Sequence, residues 1–189
     1  MEYLTKLNLG CGKNMMPGFV NVDKNGSPDV VHDLEVFPWP WEDSRFDEVV
    51  LSHVLEHLGE TTDVFLGVMK ELYRVSAPNA VIRIAVPHPR SDDFINDPTH
   101  CRAITAEMMS LFSKEQNRLW IDGGFSNSPL ALHIDVDFKL TSIDLELDEP
   151  WRSQFSAKQV SQDDLAIAMR RYNNVVREIR MTLQVVKAG

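Results

Sequence analysis

Short apolar runs recur along the first half of the chain, most of them ending in glycine or in a polar residue. They span Tyr3–Leu9, Gly18–Val22, Asp29–Val31, Phe46–Ser52 and Ala80–Val86. Between the last two runs, apolar residues of Thr61–Val75 recur three and four positions apart, which predicts a helix with one buried face. Strands separated by turns and helical patterns are typical of a parallel sheet flanked by helices.

The second half of the sequence predicts two further strands. Thr105–Lys114 and Ser161–Asn173 are expected to be helices, each beginning at a hydroxyl residue suited to an N-cap. Val136–Leu147 is strand-like, and Ile179–Val185 alternates apolar and polar side chains at the C-terminus. The sequence therefore predicts an α/β fold with seven strands, the last two of which follow the βα units.

Composition narrows the class of protein. A length of 189 residues fits a single domain spanning 1–189, and neither a signal peptide nor an apolar run of roughly 18 residues is found. The two cysteines, Cys11 and Cys101, do not form a disulfide framework, so we expect a cytoplasmic protein without a membrane span. A net charge of −9 disfavours nucleic acid as a partner and favours a small-molecule substrate.

A glycine-containing turn follows the first predicted strand and indicates a nucleotide site. Gly10 and Gly12 flank Cys11, and glycine allows a backbone to turn tightly and approach a ligand. Asp23 ends the second strand, where a carboxylate can accept hydrogen bonds from both hydroxyls of a ribose. Asp33 follows the third strand, where it could meet an adenine amino group or equally cap a turn. Without Asp23, the glycines would indicate no more than a tight turn.

Five motifs in this order resemble class I S-adenosylmethionine (SAM)-dependent methyltransferases, most closely the small type-11 group. They are LNLGCG, GFVNVD, DVVHDLE, FDEVVLSHVLEHL and MKELYRVSAPNAVIRIAVP, and they cover roughly the first half of the chain. The resemblance implies a Rossmann-like three-layer sandwich with a seven-stranded, mostly parallel sheet and an antiparallel C-terminal strand. It also implies SAM as cofactor, S-adenosylhomocysteine as product, and a cofactor site of Asn8, Gly10, Cys11, Gly12, Asp23, Asp33, Leu34, Ser52 and His53.

The sequence departs from this family at two points of the first motif. Asn8 stands where the family usually has aspartate, and Lys13-Asn14 replaces the third glycine of the longer fingerprint. The short interval between Gly12 and Asp23 predicts a brief or distorted first helix.

The methyl acceptor is expected beyond the carboxyl ends of the fourth and fifth strands. His53 and His57 lie four residues apart, but no third ligand can be identified, so we expect no metal site. Two loops rich in titratable groups follow the fifth strand. We expect His57, Asp93 and Arg102 to bind the acceptor, and His88 or His100 to position it or act as a general base. The alternative is a packed or capping His57 beside a surface loop joined by ion pairs.

Two other functions remain open at this stage. A nicotinamide-dependent oxidoreductase would share the glycines and the acidic residue, but it is expected to keep the third glycine and to end in parallel strands. A non-catalytic protein that binds SAM or another nucleotide would share the whole cofactor site. The polar loops after the fifth strand favour an enzyme.

Overall fold

A computed structural model describes residues 5–187 and contains one seven-stranded sheet. Tyr3 and Leu4, which belong to the first predicted strand, lie outside the described residues. The sheet order is β3-β2-β1-β4-β5-β7-β6. The strands are β1 (Lys6–Leu9), β2 (Val20–Asp23), β3 (Val30–Val31), β4 (Phe46–Ser52), β5 (Ser76–Pro87), β6 (Phe138–Leu147) and β7 (Val176–Val185).

The last strand runs against both of its neighbours. β7 pairs antiparallel with β5, where Ile84 lies opposite Met181, and antiparallel with β6, where Ile143 lies opposite Met181. The other adjacent pairs, from β3 to β5, are parallel. The predicted fold class is therefore confirmed, including the antiparallel C-terminal strand.

The helices flank the sheet but follow its strands unevenly. They are α1 (Thr62–Val75), α2 (Asp92–Ile95), α3 (Ala106–Ser110), α4 (Lys114–Asp122), α5 (Leu130–Ile134), α6 (Trp151–Ser156) and α7 (Gln162–Arg171), with a 3-10 turn over Leu55–His57. A brief or distorted first helix was predicted after Gly12; the described segment 10–19 instead consists of turns, bends and irregular backbone. None of the helices within residues 5–187 is long and apolar enough to span a bilayer.

Capping residues set several helix ends. Thr61, Thr105 and Ser161 each accept a hydrogen bond from a backbone N–H in the first turn of the helix that follows. The predicted N-caps at Thr105 and Ser161 are confirmed. The predicted helix over 105–114 is wrong at its C-terminal end: α3 stops at Ser110, and Ser113 caps a second helix.

The core lies on one side of the central strands. Val49, Leu51, Ile82, Ile84 and Leu183 are buried, whereas the residues between them face a more solvated side. There the carboxylate of Glu48 pairs with Lys6 at 3.0 Å and with Arg83 at 3.0 Å. These two cations hold the pKa of Glu48 below its usual value. Polar alternation on strands of a largely parallel sheet is explained by this partly open face.

A smaller apolar cluster lies near the carboxyl end of β5. Leu165, Ala168 and Val175 pack together beside Trp151, in the helical connection between β6 and β7. The Arg90 guanidinium, in the loop after β5, donates hydrogen bonds to the carbonyl oxygens of Met169 and Arg170 at 2.9 and 3.0 Å. This connection is therefore tied to the loop in which acceptor residues were predicted.

Candidate functional site

A cavity of about 430 Å³ opens at the carboxyl edge of the sheet. Its wall comes from the segments that follow β1, β2, β3 and β4, joined by one residue of the loop before α3. The lining residues are Gly10, Asp23, Lys24, Asn25, His32, Asp33, Leu34, His53, Val54, His57, Leu58 and Thr99. Ligands of open α/β sheets bind at this edge, so the cavity is the candidate site.

The glycine turn forms one wall of the cavity. Gly10 has a φ of +62°, and a Cβ atom there would lie 2.4 Å from Cγ2 of Val54. Glycine is therefore required at this position for its backbone conformation and for its contact with Val54. Gly12 and Cys11 do not line the cavity: the Gly12 N–H points to Asp23, and the Cys11 N–H donates to the Val22 carbonyl at 2.9 Å.

Asp23 joins this turn to the second strand. Its Oδ2 accepts a hydrogen bond from the Gly12 N–H at 2.9 Å, and its Oδ1 accepts one from the Asn25 N–H at 2.8 Å. The side chain is partly buried and lines the cavity. A carboxylate has about four acceptor positions. Asp23 therefore retains acceptor capacity for ligand hydroxyls after both backbone bonds are made.

Asn8 supports the turn from inside the protein. It is 4% exposed, and its Nδ2 donates to the Asn14 carbonyl at 3.0 Å and to Oδ1 of Asn21 at 2.9 Å. The backbone N–H and Nδ2 of Asn21 in turn donate to Asp29 at 2.9 and 2.8 Å, and these two bonds lower the pKa of Asp29. The structure therefore places Asn8 behind the cavity wall and not on its surface.

Asp33 and Leu34 both line the cavity, in the segment after β3 that lies next to the end of β2. Oδ1 of Asp33 accepts a hydrogen bond from the Glu35 N–H at 3.0 Å, and the Leu34 carbonyl accepts one from the Trp39 indole at 3.0 Å. Trp39 is 2% exposed and makes an edge-to-face contact with Trp41. The Trp-containing loop therefore fills core and supports this wall from behind.

His53 lies on the cavity with a strained backbone, at a φ of +55°. Its Nδ1 lies 3.6 Å from Oε1 of Glu56, and its Nε2 lies 2.7 Å from Oε2 of Glu178 on β7. The Glu56 carboxylate, together with Glu178, raises the pKa of His53 against the opposing effect of burial. The preceding predicted residue, Ser52, is exposed and does not line the cavity.

Of the residues predicted to contact or position the acceptor, some line the cavity and others lie behind its wall. His57 lines the cavity, and its ring centroid lies 4.6 Å from that of His100. The His100 side chain is 7% exposed, and its ring stacks on Phe94 at 5.2 Å. Arg102 donates to the Gly59 carbonyl at 2.8 Å and does not line the cavity.

His88 and Asp93 lie away from the cavity. Nδ1 of His88 accepts a hydrogen bond from the Arg90 N–H at 3.1 Å, so the neutral ring carries its proton on Nε2. Burial, with the nearby Arg90 charge, lowers the pKa of His88. Asp93 forms an ion pair with Arg177 on β7 at 2.7 Å. Their predicted roles toward an acceptor stay predictions.

Several residues of the site had not been singled out from the sequence. Lys24, Asn25 and His32 lie next to predicted residues, so their positions followed from the same strand ends. Thr99 precedes His100 in the loop before α3, and as an uncharged residue it gave no signal beside His100 and Arg102. Nothing in the sequence around Glu178 indicates a site residue, because it is one of several polar positions in an alternating strand. Pairing of β7 with β5 brings it to His53.

This chain resembles known proteins in its three-dimensional structure. No protein-family model and no curated protein matches the sequence. A SAM-dependent methyltransferase from Archaeoglobus fulgidus superimposes with a TM-score of 0.60 at 16% identity, covering 96% of this chain and 88% of that one. The cyclase SpnF gives 0.55 at 12% identity, covering 97% and 75%.

A third solved structure contains bound S-adenosylhomocysteine. It is the 1,6-didemethyltoxoflavin-N1-methyltransferase of Burkholderia thailandensis with 1,6-didemethyltoxoflavin and S-adenosylhomocysteine. Its TM-score is 0.51 at 11% identity, covering 96% of this chain and 71% of that one. This chain has the class I methyltransferase fold. The inserted antiparallel β7 is part of that fold and is not expected in the parallel-ended sheet of a nicotinamide-dependent oxidoreductase.

Proposed function

We propose that this chain binds S-adenosylmethionine in the cavity beside Asp23 and transfers its methyl group to a small acceptor. The observation that carries the proposal is the position of Asp23. On a class I methyltransferase fold, its carboxylate lies at the end of β2 and lines one cavity with Gly10, Asp33 and Leu34. The sequence predicted these four residues as one nucleotide site, and the fold brings them to one cavity.

The residues present fit this cofactor. A cavity of about 430 Å³ falls within the range of about 300–1,000 Å³ typical of small-molecule sites. Asp23 offers free acceptor positions for ribose hydroxyls, and Asp33 offers a carboxylate near Leu34, whose apolar side chain suits the face of a base. Gly10 leaves the backbone accessible on the remaining side.

Methyl transfer from a sulfonium requires mainly that the protein place the acceptor in line with the methyl group. When bound, S-adenosylmethionine supplies an electrophilic methyl group on its sulfonium. Holding two reactants in line can lower a barrier by roughly 7–11 kcal/mol without a covalent step by the protein. His57 and Thr99 line the cavity and are the residues that we expect to contact the acceptor. His100 lies behind His57, so we propose it as a positioning residue and not as the base itself.

A small acceptor agrees with the charge of the chain. The net charge of −9 opposes a phosphate backbone, and no basic stretch accompanies aromatic residues on the cavity wall. The neighbouring cyclase shows that this fold also accommodates other chemistry, so turnover has to be measured and not inferred from the fold.

Calorimetric titration with SAM, S-adenosylhomocysteine and NADH tests the proposal. We expect micromolar binding of the two sulfur nucleotides and no heat from NADH, followed by transfer of a labelled methyl group in an acceptor screen. Binding of NADH alone, or of none of the three, would contradict the proposed cofactor. Binding of SAM without transfer to any acceptor would favour a non-catalytic binding protein.

A further inference from the structure

Three potential metal ligands meet beside the cavity, outside the predicted cofactor site. Glu56, His57 and His100 each bring one ligand atom to within 4.8 Å of the other two. Glu56 and His57 belong to the 3-10 turn after β4, whereas His100 lies in the loop before α3. The Cys101 and Arg102 N–H groups donate to the Glu56 carbonyl at 2.9 and 3.2 Å, which fastens the two segments to each other.

The Glu56 carboxylate provides a second, independent observation. The residue is 1% exposed, and among residues 5–187 neither of its carboxylate oxygens has a hydrogen-bond partner. The only ion-pair contact of this carboxylate within the described part of the chain is with Nδ1 of His53, 3.6 Å from Oε1, beyond hydrogen-bonding distance. Burying a carboxylate without a partner is costly unless a cation balances it. The cluster therefore contains an acceptor that its protein neighbours leave unsatisfied.

Hydrogen bonds orient both histidines for a ligand role. Nδ1 of His100 lies 2.9 Å from the Phe94 carbonyl, an acceptor, so this nitrogen carries a proton, and in the neutral ring Nε2 carries the lone pair. Oγ1 of Thr99 donates to Asp97 at 2.6 Å and lies 3.0 Å from Nδ1 of His57. Because the Thr99 proton is committed to Asp97, Nδ1 of His57 is the donor in that contact. Nε2 of His57 is thereby left with its lone pair.

Such outer bonds are the usual support of metal-binding histidines. A ligating imidazole commonly donates its second N–H to a carbonyl or to a carboxylate, directly or through a hydroxyl. Two imidazoles and one carboxylate are the protein ligands of several zinc and iron centres that keep a coordination position open. Metal–ligand bonds of about 2.0–2.2 Å would draw the three ligand atoms together by small side-chain movements.

We propose that Glu56, His57 and His100 bind one divalent transition-metal ion such as Zn²⁺, through the carboxylate and the two Nε2 atoms. The sequence had offered His53 and His57 without a third ligand; the fold replaces His53 by Glu56 and His100. Since His57 lines the cavity, the open coordination position would face it. An acceptor hydroxyl bound there would lose its proton more easily, a consequence that rests on the proposed function.

Zinc titration of the full chain without nucleotide tests the site, so the result does not depend on methyl transfer. We expect one Zn²⁺ per chain at micromolar affinity or tighter, and a visible Co²⁺ absorption typical of nitrogen and oxygen ligands. Glu56→Gln and His100→Gln should each weaken binding by at least 100-fold. His133→Gln is the matched control, because His133 is exposed on α5 and does not belong to the cluster, and it should bind like wild type.

Substitutions of Thr99 and His53 separate this site from its nearest alternatives. Thr99→Val removes the hydroxyl that orients His57 but changes none of the three metal ligands. We therefore expect 10–100-fold weaker Zn²⁺ binding, restored in Thr99→Ser. Both are exposed changes that should leave folding intact even if a Glu56 variant does not fold. The proposal is overturned if wild type binds no stoichiometric Zn²⁺. It is also overturned if His53→Gln abolishes binding while His100→Gln does not.

Discussion

The carboxylate of Asp23 accepts a hydrogen bond from the Gly12 N–H over 2.9 Å, which ties the end of β2 to the turn after β1. The same side chain lines the cavity. One residue therefore shapes the glycine turn and presents acceptors to a ligand. The two contributions can be separated experimentally because an amide keeps the shape of the carboxylate but loses its charge and half of its acceptors.

Asp23→Asn should weaken SAM binding by roughly 10–100-fold, since hydrogen bonds to a charged group contribute about 1.5–3 kcal/mol. The asparagine oxygen can still accept the Gly12 N–H, and the Asn25 N–H, at an exposed position, can bond to water instead, so the fold should persist. Calorimetry with SAM measures the change, with Asp47→Asn as the control, an exposed carboxylate on β4. Equal affinities of wild type and Asp23→Asn would remove Asp23 from the site.

Asn8→Asp should destabilise this chain, although the class I methyltransferases that its sequence resembles usually have aspartate at this position. The Asn8 amide donates to two oxygens, the Asn14 carbonyl and Oδ1 of Asn21. A carboxylate there would face both oxygens without a proton to share. Leaving buried acceptors unsatisfied costs about 1–3 kcal/mol each, so we expect a loss of about 2–4 kcal/mol in urea unfolding.

The exposed substitution Asn14→Asp is the control for Asn8→Asp, because it adds the same charge to the same turn from the solvent side. Its free energy of unfolding should be close to that of wild type. If Asn8→Asp proved as stable as Asn14→Asp, the buried amide network would not be what fixes the turn.

The strand ends could be predicted from the sequence because they depend on local signals. Gly10, Asp23 and Asp33 each follow a short apolar run, and the carboxyl ends of parallel strands meet at one edge. That argument was sufficient to predict that these residues share one cavity. The alternation of apolar and polar residues correctly predicted β7 as a strand, while its antiparallel direction came from the family resemblance.

Contacts across the fold were beyond local reasoning. His88 and His100 were both candidates from the sequence, since both follow β5 in polar loops. The loop turns one toward Arg90 and the other toward His57. Glu56 carried no sequence signal of its own within the fourth motif, yet it is buried, and the loop bearing Cys101 donates backbone hydrogen bonds to its carbonyl. Such pairings depend on the path of loops, which hydrophobic periodicity does not encode.

Arg74→Lys should destabilise the chain through the loop that supports Leu34. Arg74 binds both carboxylate oxygens of Glu71, at 2.8 and 2.7 Å, and donates to the carbonyls of Trp39 and Trp41. Lysine cannot form this planar, multiple contact. Glu71 is 9% exposed, so a partly lost partner should cost about 2–3 kcal/mol, below the range for fully buried pairs.

Urea unfolding measures the effect of Arg74→Lys, and Arg177→Lys is its control. Arg177 also pairs with a carboxylate, that of Asp93, but both side chains are about half exposed. We expect no measurable loss of stability there. Similar losses in the two variants would show that the contact of Arg74 with the Trp loop does not stabilise the fold.

His88 should titrate below the ordinary histidine pKa of about 6.5. Burial disfavours its charged form, and the neighbouring Arg90 charge adds to that effect. Because the folded chain binds this proton less readily than the unfolded chain, its contribution to stability is fully present above about pH 6.5 and is lost as pH falls through the folded pKa. NMR titration of the ring protons gives the midpoint directly.

His88→Gln should reduce the fall in stability between about pH 6.5 and the folded pKa of His88, whereas His133→Gln, which alters an exposed ring, should leave that fall unchanged. A midpoint at or above 6.5 would mean that the ring is solvated, and the loop after β5 would then have to be more open than its contacts with Arg90 indicate.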